Sequence, residues 1–364
     1  MKHLKFIFKI HLLSIFSICI FSFNSSFAQK EIFRSTIEFS EYELSNYYSA
    51  FSVDSNQLYF LTNKWALFVY DKTSGNLIWN YDLSLKSNNA PVVNQNSVFV
   101  EAKLDEYTNR IIQLNAKTGD TIQTLKLEEL NSQPIFKGNT LFCTGLIEEM
   151  GGVIMGYDVS KNEILWYKYI GHGVSFQPYF LNDRIVVNYE GQMWFEIDYV
   201  GNALDKNSDC YSISDEYPFQ EQFCNIKTDI VNSYLKDLKI RNASIDEKLY
   251  YYGQNETVIL NSGVFQIINS KNKQVKEIAI GEMTTQIENT DKEFNDYQAI
   301  LKVENNAIWF VYDNVLTIYD YKSNQTLKEI NLIEWNPHQV ILDGNHLWLI
   351  SKNDGQMVGL EINF

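Results

Sequence analysis

The stretch Leu67-Phe68-Val69-Tyr70-Asp71-Lys72-Thr73-Ser74-Gly75-Asn76-Leu77-Ile78-Trp79 reads as two short strands joined by a tight turn. Asp71 suits a side chain that accepts hydrogen bonds from its own turn backbone, and Gly75 suits a positive φ. The apolar residues on either side alternate as strands do when each face meets a neighbouring layer. Two close relatives follow, Ile112 to Ile122 around Asn115 and Gly119, and Met155 to Trp166 around Asp158. Weaker copies centre on Asp198, Asn269 and Asp320.

A second turn type recurs in step with the first, at Val53–Leu58, Val93–Val98, Phe136–Leu141, Leu181–Ile185, Ile245–Leu249, Val303–Ile308 and Leu342–Leu347. Pro91, Pro134 and Pro178 each open a strand, a position where no ladder hydrogen bond is lost. A period of roughly forty to fifty residues built from four short strands predicts a β-propeller. The expected fold is therefore all-β, with seven four-stranded antiparallel blades. The last repeat lacks a fourth strand, and Glu31–Phe39 is a strand with no other home. It is expected to complete the last blade and so remove an exposed edge.

The run from Asp71 to Trp79, with its relatives at Asn115 and Asp158, resembles the repeat of pyrroloquinoline-quinone-like β-propellers. That superfamily includes quinoprotein dehydrogenases and the non-enzymatic propeller lipoprotein of the outer-membrane assembly machinery. The resemblance covers the first three repeats and fades where the Gly and Trp positions are lost. It implies the fold. The dehydrogenases resemble eight-bladed rings with a vicinal Cys-Cys disulfide and a calcium-bound carboxylate cluster. This chain has no adjacent cysteines and room for seven blades, so pyrroloquinoline quinone is not expected as a cofactor.

Lys2, Lys5 and Lys9, the apolar stretch Ile10–Phe23 and the small residues Ser26 and Ala28 read as a signal peptide, residues 1–28, cleaved before Gln29. Ile18 before Cys19 argues against lipid attachment there. The expectation is an exported protein, periplasmic or extracellular, with one domain over 29–364 and no transmembrane segment in the mature chain. Removing three lysines and no acid takes the formal charge from −15 to −18. Such a chain repels nucleic acid and suits a basic or neutral partner, and a monomer is expected.

Cys143 lies in an apolar strand and reads as a buried small hydrophobe. Cys210 and Cys224 share one irregular segment, and the exported compartment permits a disulfide between them.

On antiparallel blades with strands A to D, A–B and C–D turns share one face, and B–C and D–A connections share the other. The tight turns fall on the first. Long insertions are expected on the second, at 202–241 and 281–297, with longer B–C loops at Glu101–Arg110, Thr144–Gly152 and Gly253–Gly263. Loops elaborated on a rigid scaffold carry binding function. The candidate binding residues are His172, His338, Trp335, Tyr211, Tyr217 and Phe219, the aromatic ones expected exposed. Asp205, Asn207, Asp209 and Glu216 match positions 1, 3, 5 and 12 of a calcium loop, but Cys210 stands where that loop needs Gly. Calcium is thus a weak candidate cofactor.

No HxxxH, HExxH or G-x-S-x-G spacing occurs, so zinc and serine hydrolysis lack their signatures. The reading is a non-enzymatic binding propeller that recognises a protein or glycan through its D–A/B–C face. The alternative is a carbohydrate-active lyase or glycosidase with a carboxylate pair in the central funnel. A quinoprotein dehydrogenase ranks behind both.

Overall fold

The computed structural model of the protein describes residues 29–44, 50–84, 89–103, 109–127, 132–147, 151–171, 178–180, 184–189, 193–202, 204, 209–212, 222–226, 241–245, 248–252, 255–269, 271–284 and 297–362. Strand β1 (Lys30–Arg34) comes first, followed by a single helical turn, α1 (Glu41–Leu44). Sheet one holds β2 (Ala50–Val53), β3 (Gln57–Leu61), β4 (Ala66–Asp71) and β5 (Leu77–Asp82). Sheet two holds β6 (Val92–Asn94), β7 (Ser97–Lys103), β8 (Asn109–Asn115) and β9 (Thr121–Thr124). Sheet three holds β10 (Ile135–Lys137), β11 (Thr140–Ile147), β12 (Gly151–Asp158) and β13 (Glu163–Gly171).

Sheet four contains β14 (Tyr179–Phe180), β15 (Arg184–Tyr189), β16 (Met193–Asp198), β17 (Asp209–Ser212) and β18 (Gln222–Ile226). Sheet five contains β19 (Arg241–Ile245), β20 (Lys248–Tyr252), β21 (Glu256–Asn261), β22 (Val264–Asn269) and β23 (Val275–Ala279), with the turn α2 (Ile280–Met283) after it. Sheet six holds β24 (Ala299–Glu304), β25 (Ala307–Tyr312), β26 (Val315–Asp320) and β27 (Gln325–Asn331). The last sheet holds β28 (Pro337–Asp343), β29 (His346–Ser351) and β30 (Met357–Glu361), with β1 hydrogen-bonded to β30 as its fourth strand.

The carboxylate or amide at each C–D turn does what its residue type suggests. Asp71 Oδ1 accepts from the backbone N–H groups of Thr73 (3.1 Å) and Ser74 (2.7 Å). Asn115, Asp158, Asn269 and Asp320 each accept from the second and third following N–H in the same way. Asp198 accepts from Val200 and Asn202. These turns fold on local hydrogen bonds alone, which is why they were legible as sequence.

The strand after four of these turns then ties its sheet to the next. Trp79 Nε1 donates to Ala116 O (3.0 Å), Gln123 Nε2 to Val159 O (2.8 Å), Trp166 Nε1 to Tyr199 O (2.9 Å), and Lys276 Nζ to Tyr321 O. Each acceptor is the residue just after the next turn's Asp or Asn. Apolar side chains fill the interfaces: Tyr59, Val69 and Trp79 with Val98 and Leu114; Phe265 and Ile278 with Ile308 and Phe310; Leu316 and Ile318 with Leu347 and Leu349. A further cluster joins the last sheet to the first through Phe33, Trp348, Phe51 and Phe60. Innermost strands approach one another in the series β20, β24, β28 and β2.

Sequence phase and structure part company in two sheets. In sheet four the chain starts down the outer D position, where Leu204 N–H donates to Glu196 O (2.9 Å), then leaves it and returns as β18. Strand β17 hydrogen-bonds outside β18. The expected irregular insertion at 202–241 therefore contains the outermost strands of a sheet, and its first part interrupts strand D instead of joining two blades.

In sheet five Asn269 ends the third strand of the four-strand unit, as its N–H bond to Gln274 O shows. Strand A is thus β20, and β19 is an additional strand inside it. The turn at Ile245–Leu249 belongs to that extra hairpin, and the segment Gly253–Gly263, expected as a loop, contains strand β21. The Thr144–Gly152 loop is also shorter than expected, because β11 and β12 stay paired out to Ile147 and Gly151. The sheet five misassignment has a plain cause: one more apolar-turn-apolar unit looks like the next repeat until pairing partners are known.

Candidate functional site

Of the described candidates only Trp335 lies in a connection on the B–C/D–A face; His338 and Tyr211 lie on strands. Trp335 lies in the connection from sheet six to sheet seven, yet it is only 6% exposed and belongs to the core between those sheets. Its N–H donates to Leu332 O (2.9 Å) and its carbonyl accepts from Lys352 N (3.0 Å), so the backbone there plugs the end of the interface. The expectation of an exposed Trp335 is corrected: its indole packs in the apolar core of sheets six and seven, and that burial outweighs the cost of an Nε1 left without a hydrogen-bond partner.

His338, expected in a connection, is the second residue of strand β28, at the register irregularity between Pro337 and Gln339. An irregularity of this kind re-aims a side chain, and His338 is half-buried there. Tyr211, Asp209 and Cys210 lie on β17, where Cys210 pairs with Cys224 and Tyr211 with Phe223 in the ladder. An extended strand through positions 5 to 8 of the calcium-like pattern replaces the sharp turn such a loop requires. His172, Asp205, Asn207, Glu216, Tyr217 and Phe219 lie outside the described residues. Among the described residues no three His, Cys, Asp or Glu side chains are grouped to hold a metal ion. Cys143 is fully buried, and burial pushes its thiol pKa up, which suits an inert core residue.

One buried carboxylate of the described residues is visibly paired. Arg184 Nη1 meets Glu196 Oε1 at 3.0 Å across β15 and β16, with the Glu196 side chain wholly buried. Removing either partner strands the other, so this pair ties the sheet together.

The residue that the sequence reading missed is Trp65. It sits in the B–C turn of sheet one, 44% exposed, with φ at 60°. Next to it lies the connection from β1 to β2: Asn63 Nδ2 donates to Glu43 O (2.8 Å), and Lys64 Nζ stands 5.9 Å from the Phe39 ring centroid. Tyr42 on α1 is 73% exposed. A bulky residue directly after Asn63 and Lys64 in a short turn was the available signal.

Residues 45–136 match the sequence profile of a family described as outer membrane protein assembly factor BamB, so this stretch carries the pyrroloquinoline-quinone-like propeller repeat. Among solved structures the chain is similar to BamB from Moraxella catarrhalis, at 12% identity over 86% of this chain and 82% of that one, with a TM-score of 0.45. It is similar to the C-terminal WD40 domain of Sif2 at 9% identity over 92% and 99%, TM-score 0.55. The computationally designed Ika8 protein aligns at 13% identity over 92% and 100%, TM-score 0.54. Among curated proteins none matches the sequence significantly. Together with its antiparallel four-strand units, the likeness to a WD40 domain makes the fold a β-propeller.

Proposed function

We propose that this chain is an exported, seven-bladed, non-enzymatic propeller that holds a protein partner on its D–A/B–C face. The seven described sheets, the strand shared between the chain's two ends, and the core joining the last sheet to the first all support one closed ring. The match of residues 45–136 to an assembly-factor family favours protein binding over chemistry. Export rests on the leader read in residues 1–28; among the described residues no helix is long and apolar enough to cross a membrane.

The observation that carries the binding reading is the contrast between the two faces. In sheet one the A–B and C–D turns are short, and Asp54 and Asp71 accept from their own turn backbones. The opposite face presents large aromatic side chains, Trp65 and Tyr42, from neighbouring connections. Rigid scaffolds place their binding residues on such loops. Mature protein immobilised through its tight-turn face is expected to retain a partner from the exported fraction of its host, whereas immobilisation through the opposite face blocks retention. Equal retention in both orientations would overturn the reading. A glycan array run alongside separates a carbohydrate ligand from a protein one.

A further inference from the structure

Three sheets share one hydrogen bond that makes their B–C turns directly comparable. The N–H leaving strand D donates to a turn carbonyl: Leu83 to Trp65 O (2.8 Å), Ile280 to Gly263 O (2.9 Å) and Leu332 to Asn314 O (2.7 Å). All three acceptor residues are left-handed, with φ of 60°, 76° and 64°. Glycine and asparagine are the residues that tolerate that region; a tryptophan there is an outlier. Trp65 is 44% exposed, so core packing does not account for its presence.

The surroundings of Trp65 carry negative charge. Asp82 pairs with Ala66, the residue after Trp65, and the D–A segment that Asn63 and Lys64 contact carries exposed Glu38 and Glu41. Lys64, the neighbouring cation, leans over Phe39 and lies within electrostatic reach of Glu43. We infer that Trp65 is the anchor of a docking surface for an arginine- or lysine-bearing segment of a partner protein, the cation stacking on the indole while the carboxylates offset its charge. An exposed indole face attracts a guanidinium or ammonium group, and the chain's net charge of −15 draws the same class of ligand. The inference deepens the protein-binding reading of this face and rests on it.

The test uses the mature full chain and a dye-labelled hexapeptide, acetylated and amidated, with three arginines among glycines and serines. A peptide with citrulline at the arginine positions keeps the shape and removes the charge. Fluorescence anisotropy is expected to show binding of the arginine peptide only, weakening with salt, and about tenfold weaker in Trp65→Asn. Because Asn314 fills the same position in sheet six, Trp65→Asn is expected to unfold at the same temperature as the parent or higher. Glu163→Gln, on the outer edge of sheet three, should leave binding unchanged. Equal binding of the citrulline peptide, no binding at all, an unaffected Trp65→Asn, or an equal loss in Glu163→Gln would each overturn the inference. If Trp65→Asn still retains the partner held by the parent, the patch fails while the scaffold reading stands. If neither protein retains a partner in either orientation, the scaffold reading fails too.

Discussion

Phe33 lies over Gly75, where a Cβ would come within 3.3 Å of the phenyl ring. Trp79 stands over Gly119 and Trp166 over Gly201 in the same relation, at 2.8 Å and 2.7 Å. The register agrees as well: Trp79 pairs with Val69, Trp166 with Gly156 and Phe33 with Gly359, each two residues before its C strand ends. A residue from the start of the chain thus fills, in the last sheet, the place that a local strand fills elsewhere. Arg34 Nη1 to Asp354 (2.6 Å) and Ser35 Oγ to Gln356 Oε1 (2.7 Å) hold it there.

Truncating that residue should destabilise the last sheet. Phe33→Ala removes a buried ring that packs on Tyr70 and Trp348, with centroids 5.2 and 5.9 Å away, and is expected to cost about 3 kcal/mol. Urea unfolding read by tryptophan fluorescence measures it. A midpoint equal to that of the parent would show that the Phe33 ring contributes nothing to stability.

Two glycines separate backbone strain from the latch. Gly119 and Gly138 both have positive φ, 77° and 61°, but a Cβ on Gly138 meets nothing within 4 Å whereas one on Gly119 strikes Trp79. Gly138→Ala should cost about 1 kcal/mol, the conformational penalty alone. Gly119→Ala should cost more, about 2 to 3 kcal/mol, because the indole and its bond to Ala116 O must shift as well. Equal losses in thermal unfolding would count against the latch.

Acid should loosen the turns. Backbone N–H bonds from Ser74 and Thr73 hold the Asp71 carboxyl below its usual range; Asp320 is lowered by Ser323 and Lys322, and Asp158 chiefly by the Ser160 hydroxyl. A carboxylate lowered in the folded state stabilises above its unfolded pKa, about 3.9, and loses that contribution as pH falls through the folded value. Replacing all three by Asn, the residue already present at Asn115 and Asn269, keeps the acceptors and removes the titration. The unfolding temperature of that variant is expected to fall less steeply below about pH 4 than the parent's. Superimposable curves would refute this.

Cys210 and Cys224 stand opposite each other in the ladder of β17 and β18. In an oxidising compartment they are expected to form a disulfide contributing about 3 kcal/mol. Peptide mapping without reductant should recover the two linked, with Cys143 as the one thiol released on unfolding. Recovery of both as free thiols from exported protein would contradict it.

An acceptor side chain at Asp71, a glycine at 75 and a proline before a strand act within a few residues of themselves. Turn chemistry and strand alternation were therefore readable from the order of residues alone, and so was the repeat built from them. Pairing was not. Whether 245–249 joins strands A and B or an extra strand depends on which distant backbone satisfies its hydrogen bonds. Whether 222–226 closes sheet four depends on the same thing, and so does the meeting of Phe33 with Gly75. Burial followed that rule for the candidate site. Trp335 and Trp65 both occupy connections on one face, and only the packing of neighbouring sheets decided that one became core while the other faces solvent.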